Sequence, residues 1–359
     1  MRKIKKGITE KIRTQAINFV RAPKNLVFRA AGIPLKPRRI VFMVTDRCNS
    51  RCTHCSIWQQ KPTENPLTPN EIEKIFSNEL FSQVEYILCT GGEITVRNDL
   101  EEVILRLHKV LPKATIQLST NALLPDKVLK IVNRAIENNI NIEVGISLDG
   151  IGEVHDMVRG VKGNFEKADY LLRELVKLRE KHKEKLSVGA GLVISDLTLS
   201  AIPDVRAYAK ELGVDLVEAW YNESSFYHNI GKNPLREKII ETVKSQPASL
   251  IKESWLKMLN GKTAKFPCFA MNNFFVLKCN GDIVPCLSLW DERVGNVRES
   301  SLVTVWRSRK AKDTRQLIRN CQGCLNSWAA GWSFESAFYP YLIFGIKHPV
   351  IAIKKAMRS

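Results

Sequence analysis

The chain has 359 residues, 44% hydrophobic and 26% charged, an ordinary composition for a globular protein with one large domain and a smaller one. No apolar run is long enough to span a bilayer as a helix, and the N-terminus lacks the apolar core of a secretory signal, which points to the cytoplasm. The net charge of +18 is uneven: residues 1–40 hold twelve Lys/Arg and one acid, residues 332–359 hold four and one, and the 291 between carry only +4. A nucleic-acid enzyme would spread its basic surface over the body of the fold, so nucleic acid is not the expected partner.

In chain order, residues 1–38 form a basic segment. Ile4, Ile8, Ile12, Ala16 and Val20 recur every four residues among Lys and Arg, the pattern of an amphipathic helix that lies in a membrane interface or covers the fold. From 39 to 222 apolar runs alternate with helical patterns. Strands are expected at 39–46, 86–93, 115–122, 141–150, 186–195 and 215–221. Helices are expected at 71–80, 99–111, 125–139, 164–182 and 199–212, the first opening on a capping box, Thr68-Pro69-Asn70-Glu71. Six βα repeats imply a parallel sheet curved into a partial barrel, with its chemistry after the carboxyl ends of the strands.

Residues 223–259 read as linker and helix, and a boundary falls near 260. "NNFFVLKCNGDIVPC" then alternates around Asn280-Gly281, a tight-turn signal, and a helix near 301–319 follows. Residues 260–330 thus form a small α+β domain. The last segment, 331–359, contains the uncharged, aromatic "SAFYPYLIFGI" ahead of His348, Lys354, Lys355 and Arg358, which suits an interfacial helix or a cover for the barrel.

The nine cysteines read as metal ligands in a reducing compartment rather than as disulfides. "TDRCNSRCTHCSIW" packs Cys48, Cys52 and Cys55 into the loop after the first strand. Three thiolates with His54 could hold zinc. Alternatively, three thiolates on an iron–sulfur cube leave one iron open for a substrate or cofactor.

Other strand ends carry "CTGGEITVR", with Gly91, Gly92 and Glu93, then "STN" (119–121), "SLDG" (147–150) and "HDMVRG" (155–160). Together with CxxxCxxC, and in register over 39–221, these resemble the radical S-adenosylmethionine (radical SAM) superfamily. The resemblance implies an α/β fold, a partial (β/α)6 TIM-type barrel, and a 4Fe–4S cluster on Cys48, Cys52 and Cys55. S-adenosylmethionine would chelate the open iron, and its one-electron cleavage would give a 5′-deoxyadenosyl radical that takes hydrogen from an unactivated C–H bond. An electron donor such as flavodoxin or ferredoxin is implied. Gly91 and Gly92 would let backbone approach the methionine amine, Glu93 would face that ammonium, and Arg159 would pair with the carboxylate. Ser119, Asn121 and Ser147 are further cofactor contacts, Asp149 a lesser one, and His54 would pack near adenine. Asn121, Ser147 and Asp149 could equally be strand-end turn residues. Ile94 departs from the proline that often follows GGE.

Cys268, Cys286, Cys321 and Cys324, with the connector "GNVRESSLVTVWRS", resemble the SPASM/twitch extension of such enzymes. The absence of cysteines after Cys324 implies the shorter twitch type with one auxiliary 4Fe–4S cluster, fully ligated and serving electron transfer or architecture. Zinc is the alternative on ligand chemistry alone. Cys279 is an alternative ligand or an uninvolved hairpin residue, and Cys89 a small buried hydrophobe. The basic ends suggest a lipid-linked or other anionic substrate at the inner membrane surface. A ribosomally made peptide is the next expectation, then a sugar or nucleotide. From a different class, the chain could be a non-catalytic iron–sulfur or zinc protein that binds a polyanion.

Overall fold

The computed structural model describes residues 2–221, 224–229, 236–245, 249–264, 266–321, 324 and 326–347, with 2–15, 236–239, 245, 341 and 345 by backbone alone. A 29-residue helix, α1 (Arg2–Ala30), leads into β1 (Arg39–Thr45), α2 (Pro69–Phe76), β2 (Tyr86–Gly91), α3 (Leu100–Val110) and β3 (Thr115–Thr120). Next come α4 (Pro125–Glu137), β4 (Ile142–Ser147), α5 (Glu153–Arg159), α6 (Asn164–Lys181), β5 (Leu186–Ile194), α7 (Ile202–Glu211) and β6 (Asp215–Trp220). The C-terminal part contributes α8 (Arg236–Ser245), α9 (Leu250–Leu259), β7 (Phe274–Leu277), β8 (Asp282–Val284) and β9 (Gly295–Asn296). It ends in α10 (Leu302–Arg307), α11 (Arg309–Arg319), α12 (Ser327–Ala337) and α13 (Tyr339–Lys347).

Strands β1 to β6 pair in parallel, each with the next, as six βα repeats require. Along β3, β4 and β5 buried positions alternate with partly open ones. The buried set (Leu118, Val144 and Val188 among them) packs under the helices. The period of two puts Ser119, Glu143, Ser147 and Gly191 on the opposite, lumen-facing side. A strand buried on both faces reads differently: β1, "RIVFMVT", is apolar almost throughout.

The C-terminal hairpin does not stand apart from the barrel. β7 pairs in parallel with β1, Arg39 opposite Phe274, and the single sheet runs β6-β5-β4-β3-β2-β1-β7-β8-β9. The turn after β7 is closed by Asn280 Oδ1 accepting from the Asp282 amide, with Gly281 at φ 91 supplying the left-handed corner. The far half of α1 also belongs to the body: Asn18, Ala22 and Asn25 are buried, Asn25 Nδ2 donates to Ser336 O of α12, and Arg29 Nε donates to Cys268 O.

Strand positions follow the sequence expectations to within three residues, and the Thr68–Glu71 capping box is formed. The helix expected over 71–80 ends at Phe76, because Asn78 caps a separate turn at Glu79–Phe81. The helix expected near 301–319 is two. Ser301 caps α10, and Ser308 adopts an extended backbone and caps α11. The stretch "HDMVRG" (155–160), quoted above with the strand ends, falls largely in a helix of its own, α5, ended by left-handed Gly160. His348, Lys354, Lys355 and Arg358 lie outside the described residues.

Because β7 covers the edge of an almost wholly apolar β1, a chain cut after residue 259 should expose that edge and aggregate. Soluble, monomeric 1–259 in size-exclusion chromatography would show instead that the barrel folds without the hairpin.

Candidate active site

The three-cysteine loop has no regular structure before the turn at Ile57–Gln59, so its backbone polar groups need outside partners. The last carbonyls of α5 supply them. Arg51 N donates to Arg159 O (3.0 Å), Thr53 N to Val158 O (2.9 Å), and Ser50 Oγ also to Arg159 O (2.9 Å). On the other side Ser56 N donates to Tyr227 O (2.8 Å), and Asn229 Nδ2 to His54 O (3.1 Å). Gly160, at φ 66, lets the loop sit this close: a Cβ there would stand 2.4 Å from Arg51 O.

The GGE segment docks on the start of the same loop. Gly92 N donates to Thr45 O and Glu93 N to Arg47 O, both at 2.8 Å. A Cβ on Gly91 would meet Thr45 O at 2.0 Å and one on Gly92 would meet Arg47 O at 2.1 Å. Loop-to-loop seating therefore demands glycine at both positions, beside any approach of their backbone to a ligand amine. Glu93 is 1% exposed. Its Oε1 accepts from Thr95 N, Thr95 Oγ1 and Thr120 Oγ1, and its Oε2 from Asn121 N (2.6 Å). Burial pushes its carboxyl up from the ordinary range, against those four hydrogen bonds.

Arg159 already has a carboxylate partner: its Nη2 lies 2.6 Å from Asp149 Oδ2, and its Nη1 is 3.6 Å from Cys52 Sγ. Burial pushes the Asp149 carboxyl up, but the Arg159 guanidinium, together with the Val193 N–H and the neighbouring imidazoles, holds the group below its usual range. Asp149, expected as a lesser cofactor contact, is fully buried, accepts from Val193 N and so orients Arg159. Asn121 is partly spent on turn chemistry: its Oδ1 accepts from Leu123 N, and its Nδ2 donates to Asn49 Oδ1. His54 is pushed down to about 4 by burial, hence neutral, and its Nδ1 has no partner in the structure.

Cys48, Cys52, His54, Cys55, Gly91, Gly92, Glu93, Ser119, Asn121, Ser147 and Arg159 all border one cavity of about 270 Å³. Among the wall residues that sequence reasoning missed are Phe226 and Tyr227, from the stretch read as linker, and Leu287 and Trp328 from the C-terminal part. No local pattern marks these; only the fold brings them in. Ser119, Ser147, Arg159, Val193 and Trp328 also border a second cavity of about 520 Å³, the barrel lumen.

The cysteines differ in what their sulfurs receive. A backbone N–H two or three residues onward favours the thiolate of Cys48 (from Ser50), Cys55 (Ile57), Cys268 (Ala270), Cys286 (Leu289 and Ser288) and Cys324 (Asn326, 3.2 Å). Such bonds stabilise a thiolate and are a lever on iron–sulfur clusters. Cys268, Cys286, Cys321 and Cys324 lie near enough that charge on one raises another, the sign of a common site. Burial pushes the Cys268 thiol up to about 11 and Cys286 to about 12, so thiolates there need compensating positive charge, which iron supplies. Cys279 instead faces Thr63 Oγ1 (3.5 Å) and Asp46, and Cys89 is wholly buried. Among the described residues no three donors converge as they would on a single metal ion. The all-thiol sets with N–H donors on their sulfurs fit clusters.

The model of the radical SAM superfamily matches residues 42–208, and that of an iron–sulfur cluster-binding domain, SPASM, matches residues 268–325. The chain belongs to the radical SAM superfamily. It is 30% identical over 225 residues to Fe-coproporphyrin III synthase of Methanosarcina barkeri, covering 61% of this chain and 52% of that protein. It is 34% identical over 199 residues to GTP 3′,8-cyclase of Aquifex aeolicus, covering 51% and 55%. The subtilosin biosynthesis protein AlbA of Bacillus subtilis is 26% identical over 49% of this chain and 38% of its own length. The chain thus spans about half the length of the first curated relatives it matches. Streptococcus suis SuiB bound to S-adenosylmethionine shares the fold, with a TM-score of 0.63 at 18% identity over 84% of this chain and 76% of that one. The protein named anSMEcpe, with bound AdoMet, gives 0.56 at 19% over 86% and 98%. The chain therefore has the open, partial barrel of a radical SAM domain, the kind of domain that binds S-adenosylmethionine and a 4Fe–4S cluster, and carries a SPASM domain for auxiliary iron–sulfur binding. Among the described residues no helix is long and apolar enough to cross a membrane.

Gly92→Ala should displace Arg47 O and lower bound iron severalfold. Gly191→Ala, whose Cβ would meet nothing within 4 Å, should leave iron unchanged. Iron content after anaerobic reconstitution checks both, and equal iron in the two would show that GGE seating is tolerant.

Proposed function

We propose that this radical SAM enzyme abstracts hydrogen from a substrate held in the barrel lumen, and that the substrate presents a cationic or hydrogen-bond-donating group there, as a peptide side chain can. The observation that carries the reading is the pair of adjoining cavities: the one bordered by the cysteine loop opens past Ser119, Ser147 and Arg159 into the lumen. Bound and reductively cleaved, S-adenosylmethionine would supply a 5′-deoxyadenosyl radical able to take hydrogen from an unactivated C–H bond.

The residues of the chain then have separate tasks. Cys48, Cys52 and Cys55 hold the cluster, and the amide donors of Ser50 and Ile57 stabilise two of their thiolates. Glu93 fixes the ends of β2 and β3 and gives the cofactor's ammonium an anionic neighbour. Arg159, aimed by Asp149, offers its remaining edge to a carboxylate. Neutral His54, with Nδ1 unengaged, suits an adenine edge or face. Phe226, Tyr227 and Trp328 exclude water from the wall between cofactor and substrate. Cys268, Cys286, Cys321 and Cys324 hold one auxiliary cluster with every iron ligated, serving electron transfer or architecture, with flavodoxin or ferredoxin as electron donor.

The substrate class rests on lumen charge. Glu143 and Asp215 border the lumen, and Arg159, committed to Asp149, is the basic side chain on its wall among the described residues. Burial pushes the Glu143 carboxyl up, the Tyr86 hydroxyl beside it opposes this, and Asp215 adds to the rise. A cation entering there relieves this repulsion, whereas a phosphate worsens it. That weighs against a lipid-linked phosphate or a nucleotide in the lumen, and AlbA's role in bacteriocin biosynthesis accords with a peptide.

Anaerobically reconstituted protein should hold about eight irons per chain and form 5′-deoxyadenosine with dithionite. Replacing Cys48, Cys52 and Cys55 together by Ala should halve the iron and abolish that product. Persistent cleavage would remove the assignment of the loop. Cys321→Ala with Cys324→Ala should also lose about half the iron but keep cofactor cleavage. Lysine- or arginine-bearing peptides, set against polyprenyl phosphates, should be the additions that raise 5′-deoxyadenosine formation, an effect weakened by Glu143→Gln. Stimulation by the phosphates alone would overturn the substrate class.

A further inference from the structure

We propose that α1 and α13 together form a docking surface for an anionic lipid bilayer. The two helices lie at opposite ends of the sequence yet both pack against α12: Phe19 of α1 meets Phe338, the residue that joins α12 to α13, edge to face with ring centroids 5.4 Å apart. In α1, Asn18, Ala22 and Asn25, spaced four and three, are buried toward α12. Two residues further on from Asn18 and from Asn25, Val20 (75% exposed) and Val27 (65%) fall on the opposite side of the helix. In α13, Leu342, Ile343 and Ile346 are exposed, Ile346 at 82%. Large aliphatic side chains are thus turned to solvent on both helices rather than scattered singly over the surface.

Charge decides what covers them. α1 carries nine Lys/Arg against one acid, and residues 339–359 carry four with none, while the body of the chain is nearly neutral. A nucleic acid would complement the charge but leave the valines, leucine and isoleucines without apolar contact. An acidic bilayer surface complements both at once, with aliphatic side chains in the acyl boundary and lysines at the headgroups. Helices of this length and charge lie on such a surface and do not cross it, in keeping with the lack of a spanning helix among the described residues. Attachment is reversible, and salt weakens it because the Debye length falls to ~3 Å at 1 M.

The face is independent of the reaction, so the test keeps the two separate. The full reconstituted chain is sedimented with vesicles of phosphatidylglycerol and phosphatidylcholine, or of phosphatidylcholine alone. A second sample carries Val20→Glu, Val27→Glu, Ile343→Glu and Ile346→Glu, all at exposed positions that folding does not need. Binding to the anionic vesicles is expected, at least tenfold weaker in the quadruple variant and lost in high salt, with 5′-deoxyadenosine formation unchanged. No binding, or equal binding to both lipids, overturns the proposal. Full retention by the quadruple variant overturns it in favour of a charge-only polyanion site. A dimer in size-exclusion chromatography that the substitutions abolish, without vesicle binding, overturns it in favour of a second copy of this chain.

Discussion

The carbonyls of Val158 and Arg159, at the end of α5, hold the loop that carries Cys48, Cys52 and Cys55. Every α-helix leaves its last carbonyls without partners inside the helix, and here an irregular loop uses them in place of water. Three consequences follow from that one contact. The helix must stop sharply, which Gly160 does, and must have no side chain at that point, since Arg51 O occupies the space. The residue that offers its carbonyl, Arg159, brings its guanidinium to Cys52 and Asp149 in the same step. Asp149 in turn is tied to Val193 N at the end of β5. The cysteine loop, β4 and β5 are thus linked through a single arginine.

Much of this was legible in the sequence, and the parts that were not share a cause. β2 to β6 declare themselves through local apolar runs between turn residues, and the motif residues at their ends fall into one cavity because parallel strands end on one side. Unseen in advance were the pairing of β7 with β1, the contribution of Phe226 and Tyr227, and the seating of GGE on Thr45 and Arg47. Each is a contact between segments remote in sequence, and periodicity carries no information about partners. Serine misled at 301–319: Ser308 reads as a tolerated polar position inside a helix, yet its side chain offers the cap that splits the helix in two.

The cysteines show how local geometry separates residues that spacing leaves equivalent. Cys279 stands seven before Cys286 and would pass as a ligand by proximity in sequence. Its sulfur, however, contacts Thr63 and Asp46, an anion that disfavours a thiolate. Cys268, Cys286 and Cys324 receive backbone N–H groups instead, from residues two or three further along. That donor costs no side chain, because the turn that presents the cysteine also presents the amide. The arrangement recurs at Cys48 and Cys55, in a different loop, as expected if it follows from how a short turn offers a thiol.

Charge is distributed to opposite effect in two regions, and this separates two questions that the net charge merges. The basic ends favour an anionic partner, but they lie on α1 and beyond α13, whereas the lumen wall carries Glu143 and Asp215. An inference from +18 to an anionic substrate takes surface charge as evidence about the interior. Screening limits the reach of the surface charge to about a Debye length, ~8 Å in physiological salt, while a half-buried carboxylate such as Glu143 acts at contact and through a lower dielectric. The substrate therefore responds to Glu143 and its neighbours. The placement of the enzyme responds to the ends. Both can hold at once without contradiction, because a cationic group can enter a lumen on a molecule whose outer helices rest on an acidic surface.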